Sequence, residues 1–294
     1  MFKKSLARLM IMCMMVLPVL TYAGQAVAAE AKEKKDKEMG IKIMSYNIHH
    51  AEGKDGVLDL QRIADIIAKS GADIIGLQEV DNHWSDRSSF EDQAKWLADR
   101  LHLHYAYAAN LDLEPLEEGQ ARRQYGTAVF SKFPILHAEN HLLTNIPYTE
   151  KPSEQRGLLE TVINVKGKHI RFYNTHLDNR RAEQRDLQIK EILAIAGKKE
   201  GTSIFVGDFN AKPGSAEILK ITAQYKDVFA ELGQNDTFTI PSSYVDPITG
   251  AVSKPDSRID YVFTTDDVQF RAADVIDSIA SDHIAVTADL LVTK

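Results

Sequence analysis

The sequence predicts an α/β fold, a four-layer sandwich of two packed mixed β-sheets flanked by helices. Three observations predict it. From Ile41 onward many short apolar runs read as strands, and only three stretches carry helical spacing. No repeat, low-complexity tract or second linker interrupts them, so they belong to one domain. The only cysteine, Cys13, precedes all of them, so a large buried core and not disulfides must hold the domain together.

Residues 41–46 and 72–77 are the first two expected strands. Between them Leu60, Ile63, Ala64 and Ile67 fall on one helical face, with Asp59 placed as N-cap and Gly71 just past the end. Residues 90–101 read as a second helix, which accounts for Trp96; Trp84 is likewise read as a helix-associated core or edge residue. Strands are then expected over 105–109, 126–131, 158–165, 169–175, 203–206, 259–264 and 284–291. The pair around Lys166-Gly167 has the form of a hairpin with a two-residue turn, and a third helix is expected from Ala182 to about Ala196. Residues 111–125 and 235–257 are polar stretches containing Pro or Gly, read as loops long enough to carry function.

The N-terminus has a different character. Lys3, Lys4 and Arg8 precede an apolar run from Leu9 to Leu20, and Ala26-Val27-Ala28 supplies small residues for cleavage. Residues 1–28 therefore read as a secretory signal peptide, its apolar core short for a bilayer span. Residues 29–40 read as a charged, flexible leader and 41–294 as the domain. The expected product is secreted or held in the cell envelope, with no transmembrane segment in the mature chain. The formal charge of −7 becomes −10 once the three signal cations are gone. Such a charge disfavours broad, sequence-independent adhesion to nucleic acid, although a locally basic or metal-loaded site escapes that argument. No exposed aromatic hairpin or basic amphipathic helix suggests membrane insertion.

The chemistry gathers where apolar strands meet loops. Glu79 follows the run Ile74-Ile75-Gly76-Leu77-Gln78, an unusual place for a charge, and reads as a metal ligand or as one half of a salt bridge to an arginine. Asn47 ends the first strand and offers a neutral oxygen beside it. His176 ends another strand; as imidazolium it would donate to a phosphoryl oxygen or protonate a leaving group. Asp208 and Asn210 flank Phe209, so at period two they share a face while Phe209 turns to the core. Asp208 then orients or deprotonates water, and Asn210 holds the phosphate or Asp208 itself. Asp260 and His283 form a couple in which the carboxylate fixes the ring tautomer, and Asp282 adds a metal ligand or local negative charge. Arginine forks suit phosphate oxygens. Arg156 and Arg180 are the strongest substrate-binding candidates, with Arg122, Arg123 and Arg181 behind them; His49 and His50 line the rim or serve packing.

Seven runs occur in order: Met44-Ser45-Tyr46-Asn47, Leu77-Gln78-Glu79-Val80, Tyr125-Gly126-Thr127-Ala128-Val129, Thr175-His176-Leu177, Gly207-Asp208-Phe209-Asn210, Arg258-Ile259-Asp260-Tyr261 and Ser281-Asp282-His283. Together they resemble the endonuclease/exonuclease/phosphatase superfamily, which includes DNase I-like nucleases, neutral sphingomyelinases and inositol-polyphosphate 5-phosphatases. The resemblance implies the DNase I-like sandwich, dependence on Mg²⁺ (Mn²⁺ as substitute), and hydrolysis by direct in-line attack of water. It carries over Asn47 and Glu79 as metal-site residues, and His176, Asp208, Asn210, Asp260, Asp282 and His283 as the catalytic set. The stretches 46–50 and 59–64 are also similar to a bacterial branch related to the C-terminal domain of glycosylphosphatidylinositol-remodelling proteins.

The expectation is thus a secreted metal-dependent phosphodiesterase or phosphatase. Its partner is a phosphoester substrate, namely a small phosphoester, a lipid head group or nucleic acid, with no obligate protein partner. A DNase I-like nuclease is the alternative within the enzyme class. A catalytically inactive binding module of the same fold is the alternative outside it.

Overall fold

The strands pair into two six-stranded sheets, and their inner strands are buried along nearly their whole length because both faces are covered. The structure is a computed structural model and describes residues 38–149 and 153–293. The expected signal peptide and most of the leader lie outside the described residues. The leader's last three residues, 38–40, are already in strand, because β1 begins at Glu38 and buries Met39.

The first sheet runs in the order β13-β14-β1-β2-β4-β3, built from Val268–Ile276, Ala285–Thr293, Glu38–Asn47, Ile74–Asn82, Arg123–Ser131 and His104–Leu113. The second runs β5-β6-β7-β8-β12-β9, from Ile135–Leu142, Gly157–Val165, Lys168–His176, Ser203–Asp208, Asp260–Thr264 and Lys226–Asp227. Both are mixed: β1 pairs with β2 in parallel, as β7 does with β8, while β2–β4 and β8–β12 are antiparallel. A parallel pair requires a crossover, and a helix provides it each time, Leu60–Ser70 in the first sheet and Ala182–Ala196 in the second. The residues Gly40–Val292 form one compact unit.

The expected helix ends are found. Asp59 accepts the Arg62 N–H at 3.1 Å, and Gly71 closes the Leu60–Ser70 helix in the left-handed region at φ +70°. The second helix starts at Gln93, later than the expected 90, because Asp92 caps it and Phe90 has a positive φ. These two helices bury Ile63, Ala64, Ile67, Ala94, Leu97 and Ala98 against Met44, Tyr46, Ile75, Leu77 and Phe130 of the first sheet. The Ala182–Ala196 and Ala216–Thr222 helices cover Leu158, Tyr173, Phe205, Tyr261 and Phe263 of the second. Trp96 packs at the first of these cores. Trp84 lies beyond β2 and outside any helix, 5.8 Å from Tyr125.

The sheets meet through their other faces. A Cβ on Gly76 would come within 2.4 Å of Val206 Cγ2, so this strand of one sheet sits directly on the other. Residues 111–113 and 123–125, expected as loop, instead lengthen β3 and β4. Residues 235–257 are a loop apart from a short ribbon, β10 and β11, over Tyr244–Val245 and Val252–Ser253.

Candidate active site

The inner faces change character at one end of the sandwich. Apolar Ile43, Val206 and Val262 give way, two residues further along the same strands, to Ser45 then Asn47, Asp208 and Asp260. Register aligns them: His176 faces Asp208 across β7–β8, and Asp208 faces Asp260 across β8–β12. Asn47 comes from the end of β1, and His283 from the turn before β14. Asn47, His176, Asp208, Asp260 and His283 are all buried.

Asp208 is the centre. Its Oδ2 accepts from Asn47 Nδ2 at 3.2 Å and lies 3.4 Å from His176 Nε2 and 3.6 Å from His283 Nε2. Its Oδ1 accepts the Asn210 N–H at 2.9 Å. Burial, with the Asp260 charge assisting, pushes Asp208 up to about 7 against the opposing pull of His283 and these hydrogen bonds. The partner His283 is also pushed up, which for a histidine favours the charged form. Burial works against its charge, but Asp260, 3.0 Å from Nδ1, and Asp208 outweigh it and raise the ring to about 10. The expected Asp260–His283 couple is therefore present as a cation held between two carboxylates.

His176 differs from expectation. It is not an imidazolium: burial, then the neighbouring Arg156 and His283 charges, hold it well below the usual histidine range. Arg156 Nη1 donates to His176 Nδ1 at 3.1 Å, which fixes the tautomer with the proton on Nε2, facing Asp208. Arg156 is itself buried and paired to Glu154 at 3.2 Å, so it meets the His176 ring inside the protein and not at a rim. Arg180 is exposed in the turn after β7, its backbone N–H held by Asp178 at 3.0 Å.

Asn210 does not continue the strand face. β8 ends at Asp208, and Asn210 takes φ +49° so that its N–H reaches back to Asp208 while its Nδ2 donates to Leu177 O at 3.0 Å. Phe209 packs in the core as expected, edge-on to Tyr261 and Phe263.

Glu79 leaves the sheet at a bulge. Register between β2 and β4 shifts between Leu77 and Val80, and Glu79 has φ +59°. Its hydrogen bond comes from Asn47 Nδ2 at 3.0 Å and not from a guanidinium. A partly exposed carboxylate with no ion pair among the described residues, beside further carboxylates, is a fitting donor for a hard divalent cation. Asn47 Oδ1 accepts the His49 N–H at 3.1 Å, so the amide must turn over before its oxygen joins Glu79. Asp282 is partly exposed, and Ser281 beside it joins the site's loops: Ser281 Oγ donates to Asn47 O at 2.7 Å and accepts the His283 N–H at 3.1 Å.

The long 235–257 loop contributes a residue that spacing did not reveal. Thr239 Oγ1 accepts the backbone N–H groups of Ile259 and Asp260, and Thr239 O accepts that of Ile284. One buried threonine thus holds the strand starts on both sides of the Asp260–His283 pair. No pattern around Thr239 marks it; the signal was the length of the loop.

With the geometry in hand, the relatives can be compared. A family model described as the Endonuclease/Exonuclease/phosphatase family matches residues 44–283. The chain belongs to the endonuclease/exonuclease/phosphatase family. Members of this family are generally hydrolases, and its DNase I-like architecture is the sandwich seen here. An endonuclease/exonuclease/phosphatase from Beutenbergia cavernae DSM 12333 superposes with a TM-score of 0.69 at 25% identity, covering 86% of this chain and 72% of that one. The mannosyl-6-phosphatase of Bacteroides thetaiotaomicron VPI-5482 gives 0.62 at 19%, covering 85% and 99%. TDP2 from Caenorhabditis elegans gives 0.61 at 22%, covering 86% and 74%. The last two show likeness of fold alone. No curated protein sequence matches the chain.

Proposed function

We propose that the protein is a metal-dependent phosphoesterase, exported through its N-terminal segment, that hydrolyses a phosphoester by direct attack of water. The observation that carries this reading is the geometry at Asp208, a buried carboxylate whose Oδ2 is met by Asn47 Nδ2 at 3.2 Å and by His176 Nε2 and His283 Nε2 at 3.4 and 3.6 Å. Glu79, Asn47 and Asp282 would hold Mg²⁺ or Mn²⁺, which polarises a phosphoryl oxygen when bound.

The chain's own groups divide the remaining work. Asp208 orients the attacking water and accepts its proton, a role that suits a carboxylate raised to about 7. His176 donates from Nε2 to a phosphoryl oxygen, its lone-pair side already occupied by Arg156. His283, kept cationic by Asp260, sets a positive charge beside the phosphoryl group in a water-poor site, where charge is most effective. Thr239 and Ser281 keep that pair in place. Arg180, exposed after β7, would meet the substrate outside the buried set.

The test is a substrate panel with Mg²⁺, with Mn²⁺ and with chelator: a plasmid, an RNA, a sugar phosphate, inositol phosphates and phospholipids. Turnover that chelator and Asp208→Asn both abolish is expected. Turnover that persists in chelator, or no turnover by the folded protein on any substrate, would overturn the reading. A nucleic-acid winner whose rate collapses with salt would select the nuclease alternative. Export predicts a mature chain beginning at Ala29, read by intact mass of the protein from the medium or envelope; an unprocessed cytoplasmic chain would sink that part.

A further inference from the structure

Two histidines beside the site have no place in the chemistry above. His49 and His50 follow the strand that ends in Asn47 after a single residue, Ile48, and their rings meet at 4.4 Å between centroids. A ring nitrogen of each and a carboxylate oxygen of Glu79 lie within 4.8 Å of one another. The backbone there is unusual: His49, His50 and Ala51 have φ of +45°, +43° and +66°, three successive left-handed residues, none a glycine. Such a run is strained for residues that carry a Cβ, and it persists only where the surrounding structure holds it.

Both rings are oriented by the same residue. His49 Nδ1 is 3.1 Å from Glu52 O, an arrangement that places its proton on Nδ1 and leaves Nε2 a bare lone pair. His50 Nε2 is 3.6 Å from the Glu52 carboxylate, and its Nδ1, buried in a residue only 7% exposed, has no hydrogen-bond partner among the described residues. One nitrogen held by a carbonyl or carboxylate and the other free is how histidines are set for metal ligation. A buried ring nitrogen without a partner otherwise costs desolvation for nothing.

We infer that His49, His50 and Glu79 form a second cation site, selective for a borderline ion of the Zn²⁺ type. Two imidazoles and one carboxylate suit Zn²⁺, and disfavour Mg²⁺, which prefers oxygen. Glu79 would then serve this ion as well as the hard cation of the phosphoesterase reading; only that sharing rests on the reading. The three donors, within 4.8 Å of one another, must draw closer to meet one ion at about 2.0–2.2 Å.

Co²⁺ serves as the probe, because imidazole ligation gives it visible d–d absorption. The purified protein is titrated with Co²⁺ in excess Mg²⁺, then with Zn²⁺. The expected result is one equivalent of absorbing Co²⁺ that Zn²⁺ displaces. His49→Gln, at a partly exposed position, should weaken it by at least about tenfold with an unchanged melting temperature. Asp208→Asn should keep the band although it stops hydrolysis. Three outcomes overturn the site: no absorbing Co²⁺ in the folded wild type, equal affinity in His49→Gln, or a band that Asp208→Asn alone removes. An intact, His49-dependent band in a protein that hydrolyses nothing would keep the site and reject the phosphoesterase reading.

Discussion

Asp208 is stabilised poorly as an anion and is retained in spite of that. Its folded-state pKa of about 7 lies above the value of 3.8 for an exposed carboxyl, with burial the largest cause. Below pH 3.8 the group is protonated in both folded and unfolded chains and carries no penalty. As the pH rises to 7 the unfolded chain ionises first, and the associated stability is lost. Asp208→Asn should therefore unfold at about the same temperature as wild type at pH 4 and at a higher one at pH 8, in chelator. The gain is at most a few kcal/mol. Thermal melts at the two pH values check it; a gain that is larger at pH 4 would contradict the origin assigned to the shift. Arg156 allows a second test. Its charge is the second cause, after burial, of the lowered pKa of His176. Arg156→Gln should let the His176 titration move up yet stay under the ordinary histidine value, as followed by ring-proton NMR of the metal-free protein. An unmoved titration would mean that Arg156 acts only as packing.

At the scale of elements, the β6–β7 hairpin turns through Lys166-Gly167 with φ of +52° and +97°. Two left-handed residues favour Asn-Gly over Lys-Gly at such a turn, and both positions are exposed. Lys166→Asn should raise stability by about 0.5–1 kcal/mol, read from denaturant midpoints. A lower midpoint would show that the lysine has a role the turn geometry does not express. This turn, the Asp59 and Gly71 helix ends and the Ala182–Ala196 helix were all legible in sequence, because each is decided by neighbours along the chain. Strands β5 and β13 were not. Each lies at the edge of its sheet, and β5 exposes most of its residues, so no apolar alternation advertises it. The site divides the same way. Carboxylates emerging from apolar runs, such as Asp208 and Asp260, stand out in one dimension. The bond from Arg156 to His176 and the clamp from Thr239 to Asp260 join residues about twenty positions apart, and no local pattern encodes them.

The whole molecule places its chemistry across the gap between two sheets. Asn47 and Glu79 belong to the first sheet, His176, Asp208 and Asp260 to the second. Their spacing therefore depends on how the sheets are held, and one buried asparagine does much of the holding. The bulge that frees Glu79 interrupts the ladder next to Leu77. Asn174, from the opposite sheet, donates through Nδ2 to Leu77 O at 2.8 Å and Ala128 O at 2.9 Å, while its Oδ1 accepts from Gln78 Nε2 at 2.7 Å. Asn174→Leu keeps the size but leaves two carbonyls and an amide less well satisfied in the interior, at a cost of about 3 kcal/mol or more. Activity should fall further than the unfolded fraction explains, since the Glu79 and Asp208 sides lose their common reference. Replacing Gln78 by leucine as well removes one orphaned group, so the double variant should be more stable than the two single losses add up to. Chemical denaturation of the four proteins in this cycle decides it. Strict additivity, or a harmless Asn174→Leu, would place the join between the sheets in their apolar contacts alone, with the asparagine a passenger beside the bulge.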